Sequence, residues 1–293
     1  MYFFKFFTVV FAFCFLGTPL FSKELRVLFT GQLNGYLETC ECGIDLTPGF
    51  VKQSYFIKQY KKENPYTIIV DTGNMISSNL KSEKILGIFE SYNFVPYDAL
   101  LPGEAELNLS PQKLKQISDN LKWLLTNVRI KKGIFSKEEL IGSTEINWNK
   151  NDMKVKILGL WEENTLSKVY YKEKSELKYF NWTRYLNNKN SDLLIILTRS
   201  GAEFAQKLSN KLSCPMVIFG DYDKNLVRKD VASQLKKNVW FISSGKNGSN
   251  VGELKLDLAE NQITSLSVKY HNIDPEKAKD DPSVKKIVKK LGL

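Results

Sequence analysis

The sequence predicts a layered α/β domain, and two patterns carry that prediction. Short apolar runs rich in β-branched residues alternate with longer amphipathic runs, and the alternation closes in a stretch of strict period two. Strands that alternate with helices favour mixed sheets covered by helices, and a final period-two stretch favours a hairpin. With 43% hydrophobic and 25% charged residues in 293, the chain is of the globular kind that buries a sizeable core.

The elements follow in chain order. Apolar runs that end in polar turns predict strands at 25–30, 67–73, 97–103, 154–161, 192–198, 215–221 and 238–244. Amphipathic spacing predicts helices at 51–64, 83–91, 110–121 and 201–212. The first of these stops at Asn64-Pro65, and the third opens with Ser110 as N-cap and Pro111 at the first helical position. Alternation on both sides of Asn261-Gln262 predicts a hairpin over 252–273.

The two ends of the chain differ from this pattern. Residues 1–22 have an early Lys5, an apolar run from Phe6 to Leu16, and then small residues and a proline, which is the layout of a secretory signal peptide. An uncleaved N-terminal anchor is the alternative. We expect the domain over 23–273 to be exported to the periplasm or the extracellular space, with no further transmembrane span. Residues 274–293 predict a linker that ends in a short basic helix.

A formal net charge of +10 is compatible with a nucleic-acid partner. The lysines are scattered in separate pairs, and no arginine-rich stripe or nucleic-acid motif joins them. We therefore expect no nucleic-acid partner, and we interpret the charge as solvated lysines that keep an exported protein soluble.

The cysteines allow a second interpretation of function. Cys40 and Cys42 are too close in sequence for a relaxed mutual disulfide, and pairing of Cys214 with either one stays open. Cys40, Cys42 and Cys214 together are also the candidate for a thiol metal or redox site, although they supply at most three ligands.

Polar residues follow six of the predicted strands. Seven segments of the chain, which include these residues, occur in the same order as the motifs of one protein family. The segments are "TGQLNGYLETC" (30–40), "VDTGN" (70–74), "YDALLPGEAELN" (97–108), "LLTNV" (124–128), "LTRSG" (197–201), "GDYD" (220–223) and "GKNGSNVGELKL" (245–256). This series is similar to the motifs of the calcineurin-like metallophosphoesterases, in particular the exported 5′-nucleotidase/UDP-sugar hydrolase branch. The resemblance covers about 25–293 and implies a four-layer αββα sandwich forming a single domain.

The resemblance also implies where a dinuclear metal site would lie. Carried over residue by residue, the metal-ligand positions become Gln32, Asn34, Asn74, Glu104, Arg199, Asp221 and Asp223. The catalytic histidine position becomes Ala105, so no family ligand is preserved. The whole chain contains one histidine, His271, and a site built on four histidines therefore cannot form. Arg199 adds a permanent cation at a metal position.

Two functions follow from this pattern. The first is a catalytically degenerate pseudoenzyme that acts by binding an unidentified protein or small molecule and needs no cofactor. The second is a divergent phosphoester hydrolase that uses one Mg²⁺ or Ca²⁺ held by Asp71, Glu104, Asp221 and Asp223, which are hard oxygen ligands. Longer relatives carry a C-terminal nucleotide-binding domain, which we expect to be absent from this chain.

Overall fold

The computed structural model describes residues 22–39, 47–110, 113, 116, 121–132, 138–139, 142–143, 145–150, 152–166, 175–186, 190–212, 214–221, 232–244 and 250–292. The predicted signal peptide, apart from Ser22, lies outside these ranges, as do Cys40, Cys42 and Asp223. Most of the helix predicted at 110–121 also lies outside them. None of the helices among the described residues has the length and apolar composition needed to cross a bilayer.

The chain forms strands and helices in the alternation that the sequence predicts. The strands are β1 Lys23–Thr30, β2 Ile68–Asp71, β3 Ala99–Leu100, β4 Val128–Lys132, β5 Glu138–Glu139, β6 Ile146–Lys150, β7 Met153–Leu160, β8 Ser175–Tyr179, β9 Leu193–Thr198, β10 Met216–Gly220, β11 Ala232–Lys236, β12 Val239–Ser243, β13 Asn250–Ala259 and β14 Gln262–Asn272. The helices are α1 Gly49–Glu63, α2 Ser82–Tyr92, α3 Glu104–Leu107, α4 Glu163–Leu166, α5 Ala202–Ser209 and α6 Pro282–Lys290, with a 3-10 turn at Trp182–Tyr185.

Two large mixed sheets form the centre of the molecule. The first has the order β14-β13-β1-β2-β3, with β1, β2 and β3 parallel and the β13–β14 hairpin antiparallel at one edge. The second has the order β11-β12-β10-β9-β7-β6, with four central parallel strands and an antiparallel strand at each edge. A small antiparallel sheet, β5-β4-β8, was not predicted from the sequence because its short runs are mostly polar.

Alternation along the strands places the core. On β10, Val217 and Phe219 belong to the cluster shared with the first sheet, whereas Met216 and Ile218 pack with Phe204 of α5 on the opposite face. A strand that is buried on both faces has a continuously apolar sequence, and β10 ("MVIFG") accordingly contains no polar residue. The rings of Phe29 on β1 and Phe219 lie 4.8 Å apart between centroids and join the two sheets. With α1, α2 and α6 outside the first sheet and α5 outside the second, the four-layer αββα sandwich is confirmed.

The C-terminal segment packs on the domain. Asp281 caps α6 by accepting hydrogen bonds from the backbone N–H groups of Ser283 and Val284, and Lys58 of α1 lies 2.6 Å from its Oδ2. Val284 and Val288 are buried in the core cluster, and α6 contacts both α1 and α2. The sequence predicts a linker with a short helix over 274–293; within the described part of that segment, α6 contributes apolar side chains to the core.

Replacing Phe29 by alanine should lower the free energy of unfolding by about 3–5 kcal/mol, because the truncation leaves a cavity between the sheets. Chemical denaturation monitored by circular dichroism measures this change. Tyr66→Ala is the matched control, since Tyr66 is 58% exposed and its loss should change stability by no more than about 0.5 kcal/mol. Equal effects of the two substitutions would contradict the role assigned to the Phe29–Phe219 contact.

Candidate functional site

The loops that follow β1 and β2 are joined by backbone hydrogen bonds. The N–H groups of Gln32 and Asn34 donate to the carbonyls of Gly73 and Asn74, each at 2.8 Å. Gln32, Asn34 and Asn74 have φ values of +54°, +53° and +55°, a region that asparagine tolerates better than most residues. The paired loops hold three of the predicted metal-ligand positions side by side.

Arg199 connects these loops to the second sheet. It follows β9, and its side chain is 3% exposed. Its Nε donates to Glu104 Oε2 at 3.2 Å, and its Nη2 donates to Asp221 Oδ2 at 2.9 Å. Nη1 lies 3.5 Å from the carbonyl oxygen of Thr72. One guanidinium therefore binds groups from the loops after β2, β3 and β10.

Most of the predicted metal-ligand positions come together around Arg199. Gln32 Nε2 donates to Asp221 Oδ1, and Asn34 Nδ2 donates to the carbonyl of Gln32. With the paired loops and the contacts of Arg199, six positions form one connected cluster, which we name the Arg199 cluster: Gln32, Asn34, Asn74, Glu104, Arg199 and Asp221. The seventh, Asp223, lies outside the described residues.

Asp71 is close to the cluster but is held by other donors. It is 1% exposed and accepts hydrogen bonds from Thr30 Oγ1 at 2.6 Å and from the Gly73 N–H at 2.7 Å. Tyr92 donates more weakly at 3.4 Å. Burial raises the pKa of Asp71 to about 6, although these donors and the charge of Arg199 oppose the rise. Its oxygens are thus partly occupied by internal hydrogen bonds.

Glu106 is a site residue that the sequence analysis did not select. It is fully buried, and its two oxygens accept from the backbone N–H groups of Gly103 at 2.6 Å, Asn74 at 3.1 Å and Ile76 at 2.8 Å. The signal was available, because Glu106 is the third residue of α3, where a glutamate commonly binds the N-cap backbone. Burial raises the pKa of Glu106 to about 7 against the effect of these amides.

Gly103 is required by the close approach of the loops after β2 and β3. A Cβ at this position would overlap Asn74 Oδ1 and crowd the Asn74 backbone nitrogen. Ala105, at the catalytic histidine position, is half-buried and packs against the core. The segment after β3 therefore lies directly against the loop after β2, and Ala105 contributes no imidazole there.

Only one member of the predicted thiol site, Cys214, lies within the described residues, because Cys40 and Cys42 lie outside them. Cys214 is half-buried before β10 and packs with the cluster between the second sheet and α5. His271 lies on β14, where its Nε2 is 2.6 Å from Glu253 Oε2, and Tyr60 donates to the other oxygen of Glu253 at 2.5 Å. The single histidine of the chain is engaged in this separate contact.

The donor set of the Arg199 cluster does not fit a two-metal centre. Such a centre needs anionic bridging oxygens and neutral imidazoles, whereas here a guanidinium lies between the two carboxylates. Asn74 Oδ1 is buried with no hydrogen-bond partner among the described residues, but it is a single neutral oxygen. Within the described part of the chain, no three His, Cys, Asp or Glu side chains are grouped as metal ligands.

Comparison with known proteins identifies solved structures that have a similar fold. No protein-family model matches the sequence, and no curated protein matches it either. Among solved structures, a 5′-nucleotidase precursor of Thermus thermophilus superposes with a TM-score of 0.74 at 17% identity, over 91% of this chain and 58% of that one. NAD nucleotidase of Haemophilus influenzae gives 0.70 at 15% identity, over 92% and 67%. The calcineurin-like phosphoesterase YfkN of Bacillus subtilis gives 0.68 at 15%, over 92% and 97%.

These likenesses confirm the predicted resemblance at the level of the fold. The identities are too low to carry an activity from one protein to another. The chain also spans only 58% of the Thermus 5′-nucleotidase precursor and 60% of the sulfate thiohydrolase SoxB of Thermus thermophilus, which superposes with a TM-score of 0.71 at 11% identity.

The buried Glu106 should make stability depend on pH. Its pKa rises from the ordinary 4.5 to about 7 on folding, so the folded state holds the proton more tightly than the unfolded state. The contribution of Glu106 to the free energy of unfolding is therefore fully present below pH 4.5. It decreases by about 2–3 kcal/mol as the pH rises from 4.5 to 7. Glu106→Gln should flatten this decline, as measured by urea unfolding across the window.

Asp71, whose pKa is raised in the same direction, remains in the Glu106→Gln variant, so the decline should become shallower without disappearing. Glu83→Gln is the matched control, because Glu83 is exposed on α2. An unchanged pH dependence in the Glu106→Gln variant would contradict the raised pKa.

Proposed function

Because the chain has the calcineurin-like metallophosphoesterase fold, we propose that it is a degenerate, non-hydrolytic protein of this fold that acts by binding. The cleft at the carboxyl ends of the strands is the place where open α/β sheets bind ligands. In this proposal the Arg199 cluster forms the floor of a binding cleft, and the protein carries out no phosphoester hydrolysis. The activities in the names of its structural neighbours belong to those proteins.

The observation that carries the proposal is the position of the Arg199 guanidinium between Glu104 and Asp221. Two-metal hydrolysis depends on divalent ions that activate a water molecule and neutralise the phosphoryl oxygens. Arginine keeps its proton at any accessible pH and cannot coordinate a metal. The carboxylates that could hold an ion are instead compensated by a cation that belongs to the chain.

The cleft retains groups suited to binding. Glu104 and Asp221 keep 34% and 27% of their side-chain surface exposed, and the amides of Gln32 and Asn34 lie beside them. Amides both donate and accept hydrogen bonds, and the carboxylates accept. The ligand that we propose is a small molecule or a protein segment that presents hydrogen-bond donors to this rim.

We also propose that residues 1–22 direct export, so that the mature protein begins at Lys23 and acts in the periplasm or outside the cell. The support is the sequence layout of the segment, with its early lysine, apolar run and small residues. The intact mass of protein purified after expression of the full chain distinguishes a cleaved signal from a retained anchor.

The first test of the proposed function is metal content together with hydrolysis. Protein purified without chelator and equilibrated in turn with Mn²⁺, Zn²⁺, Mg²⁺ and Ca²⁺ should contain less than about a tenth of an equivalent of each, because Arg199 competes for the carboxylates. Inductively coupled plasma mass spectrometry measures the metal. Nucleotide and phosphodiester substrates should be hydrolysed no faster than in the protein-free blank.

A stoichiometric Mg²⁺ or Ca²⁺ ion and a metal-dependent hydrolysis, both lost in Asp221→Ala, would overturn the proposal in favour of the divergent hydrolase. Stoichiometric zinc that is lost in Cys40→Ser but retained in Asp221→Ala would instead locate a metal at the thiols. These two results are distinguishable because the variants remove ligands from different parts of the chain.

A second test removes the internal cation. Arg199→Ala should lower the free energy of unfolding by about 1–3 kcal/mol, less than for a fully buried pair because both carboxylates are partly exposed. Glu104 and Asp221 would then repel each other, and a hard divalent ion should restore part of the loss. Thermal unfolding with and without Ca²⁺, Mg²⁺ and Mn²⁺ measures both effects.

Arg26→Ala is the matched control, since Arg26 also pairs with a carboxylate, Glu24, but lies on β1 outside the cleft. The unsubstituted protein and this control should be insensitive to divalent ions and to EDTA. If metals stabilise the unsubstituted protein as much as Arg199→Ala, then Arg199 does not replace them.

A further inference from the structure

A second polar surface lies at the far end of the second sheet from Arg199. It is a groove with a volume of about 680 Å³. We name it the Asn–Lys groove, and it is lined chiefly by Glu145, Asn147, Asn149, Lys154, Lys156 and Asn190. Lys154 lies near the start of β7, and Leu160 at the end of β7 pairs with Thr198 next to Arg199. Six residues of strand separate the two sites by about 20 Å.

The groove is on the outer face of the sheet. Val155 and Ile157 of β7 belong to the core between the two sheets, so the alternating Lys154 and Lys156 face the other way. Helix α5 covers this outer face at β10, β11 and β12. The β6–β7 end lies on the other side of β9 in the strand order. The outward side chains of β6 and of the first half of β7 are polar, whereas Leu158 and Leu160 further along β7 belong to the apolar cluster of the outer face.

The lining repeats along the strands. Asn147 lies opposite Lys156 in the β6–β7 register, and Asn149 lies opposite Lys154. Successive Asn–Lys pairs are two residues apart on each strand, which corresponds to about 6.8 Å. The repeat presents an amide and an ammonium group at each step, a pattern that matches a polymer better than a single small molecule.

The charges in the groove are only partly compensated. Lys156 Nζ lies 2.7 Å from Glu145 Oε2, and Asn147 Nδ2 donates to Glu145 Oε1 at 3.1 Å. Asp192 adds a second carboxylate beside the groove, where its Oδ2 accepts a hydrogen bond from the Lys154 N–H at 2.8 Å and lies 3.4 Å from the lysine at the start of β1. Three lysines against two carboxylates still leave a net positive charge, and the Lys154 side chain is exposed. The groove is therefore suited to a ligand that carries separated negative charges among neutral polar groups.

The chemistry of the lining identifies the class of ligand. Amides donate to and accept from hydroxyl groups, and ammonium groups bind carboxylates. None of the lining residues named above is aromatic, so the groove lacks the stacking platform on which single-stranded nucleic acids depend. The volume falls within the range of about 300–1,000 Å³ that ligand sites occupy. We propose that the Asn–Lys groove binds an acidic oligosaccharide, with sugar hydroxyls on the asparagines and a carboxylate on Lys154.

Titration calorimetry of the full chain with a short oligogalacturonate tests the proposal. We expect saturable binding with a dissociation constant of about 1 mM or tighter, and a decrease of about tenfold in affinity in the double variant Lys154→Gln/Asn149→Ala. Asn190→Asp, which adds a negative charge at the edge of the groove, should weaken binding in the same direction. Thermal unfolding of each variant verifies that the fold is retained.

The controls separate this site from the general charge of +10. Lys277→Gln makes the same charge change at a residue that does not line the groove and whose side chain is 85% exposed. This variant should leave the affinity unchanged. Neutral maltooligosaccharide and oligothymidylate of similar length should bind more weakly than the acidic sugar. Equal weakening by Lys277→Gln, equal affinity for oligothymidylate, or no saturable binding would each overturn the proposal. Because Arg199→Ala should not change this binding, the result is independent of the proposed function of the cleft.

Discussion

The contact of Arg199 with Glu104 and Asp221 is the interaction on which the arrangement of the Arg199 cluster depends. One guanidinium from the end of β9 holds a residue that follows β3 in the first sheet and a residue that follows β10 in the second. Replacing a whole buried ion pair by apolar residues is often neutral or stabilising, whereas removing only one partner leaves an uncompensated charge and is destabilising. Without a cation at this place, the carboxylates after β3 and β10 would face each other uncompensated.

Around Arg199, burial and backbone geometry support one another. Gln32, Asn34 and Asn74 adopt the left-handed conformation, which keeps the loops after β1 and β2 in register. Glu106 binds three backbone N–H groups of the adjoining loops, and Asp71 binds Thr30 and Gly73. The raised pKa values of both carboxyls reflect their removal from water. These loops are thus held together by hydrogen bonds and one internal cation.

Likeness of fold and likeness of side chains are separate matters in this chain. The TM-scores near 0.7 accompany identities of 11–17%, so the sandwich persists where few side chains coincide. Packing requires only apolar residues of suitable volume at alternating positions, whereas a metal centre requires particular ligands at particular places. The two binding surfaces that we propose use different side-chain chemistry: the Asn–Lys groove lies on the second sheet alone, about 20 Å along the strands from Arg199, whereas the Arg199 cluster joins loops of both sheets.

Local periodicity and composition were sufficient to predict the layered α/β class and most of the strands and helices, and to exclude a four-histidine site. Ordered motifs along the chain were enough to select Gln32, Asn74, Glu104, Arg199 and Asp221 before any contact was known. The folded structure was needed to show that Arg199 binds both carboxylates, that the buried Glu106 accepts hydrogen bonds from three backbone N–H groups, and that α6 packs on the core. Those features depend on residues far apart in the chain, and no local pattern encodes how closely they approach.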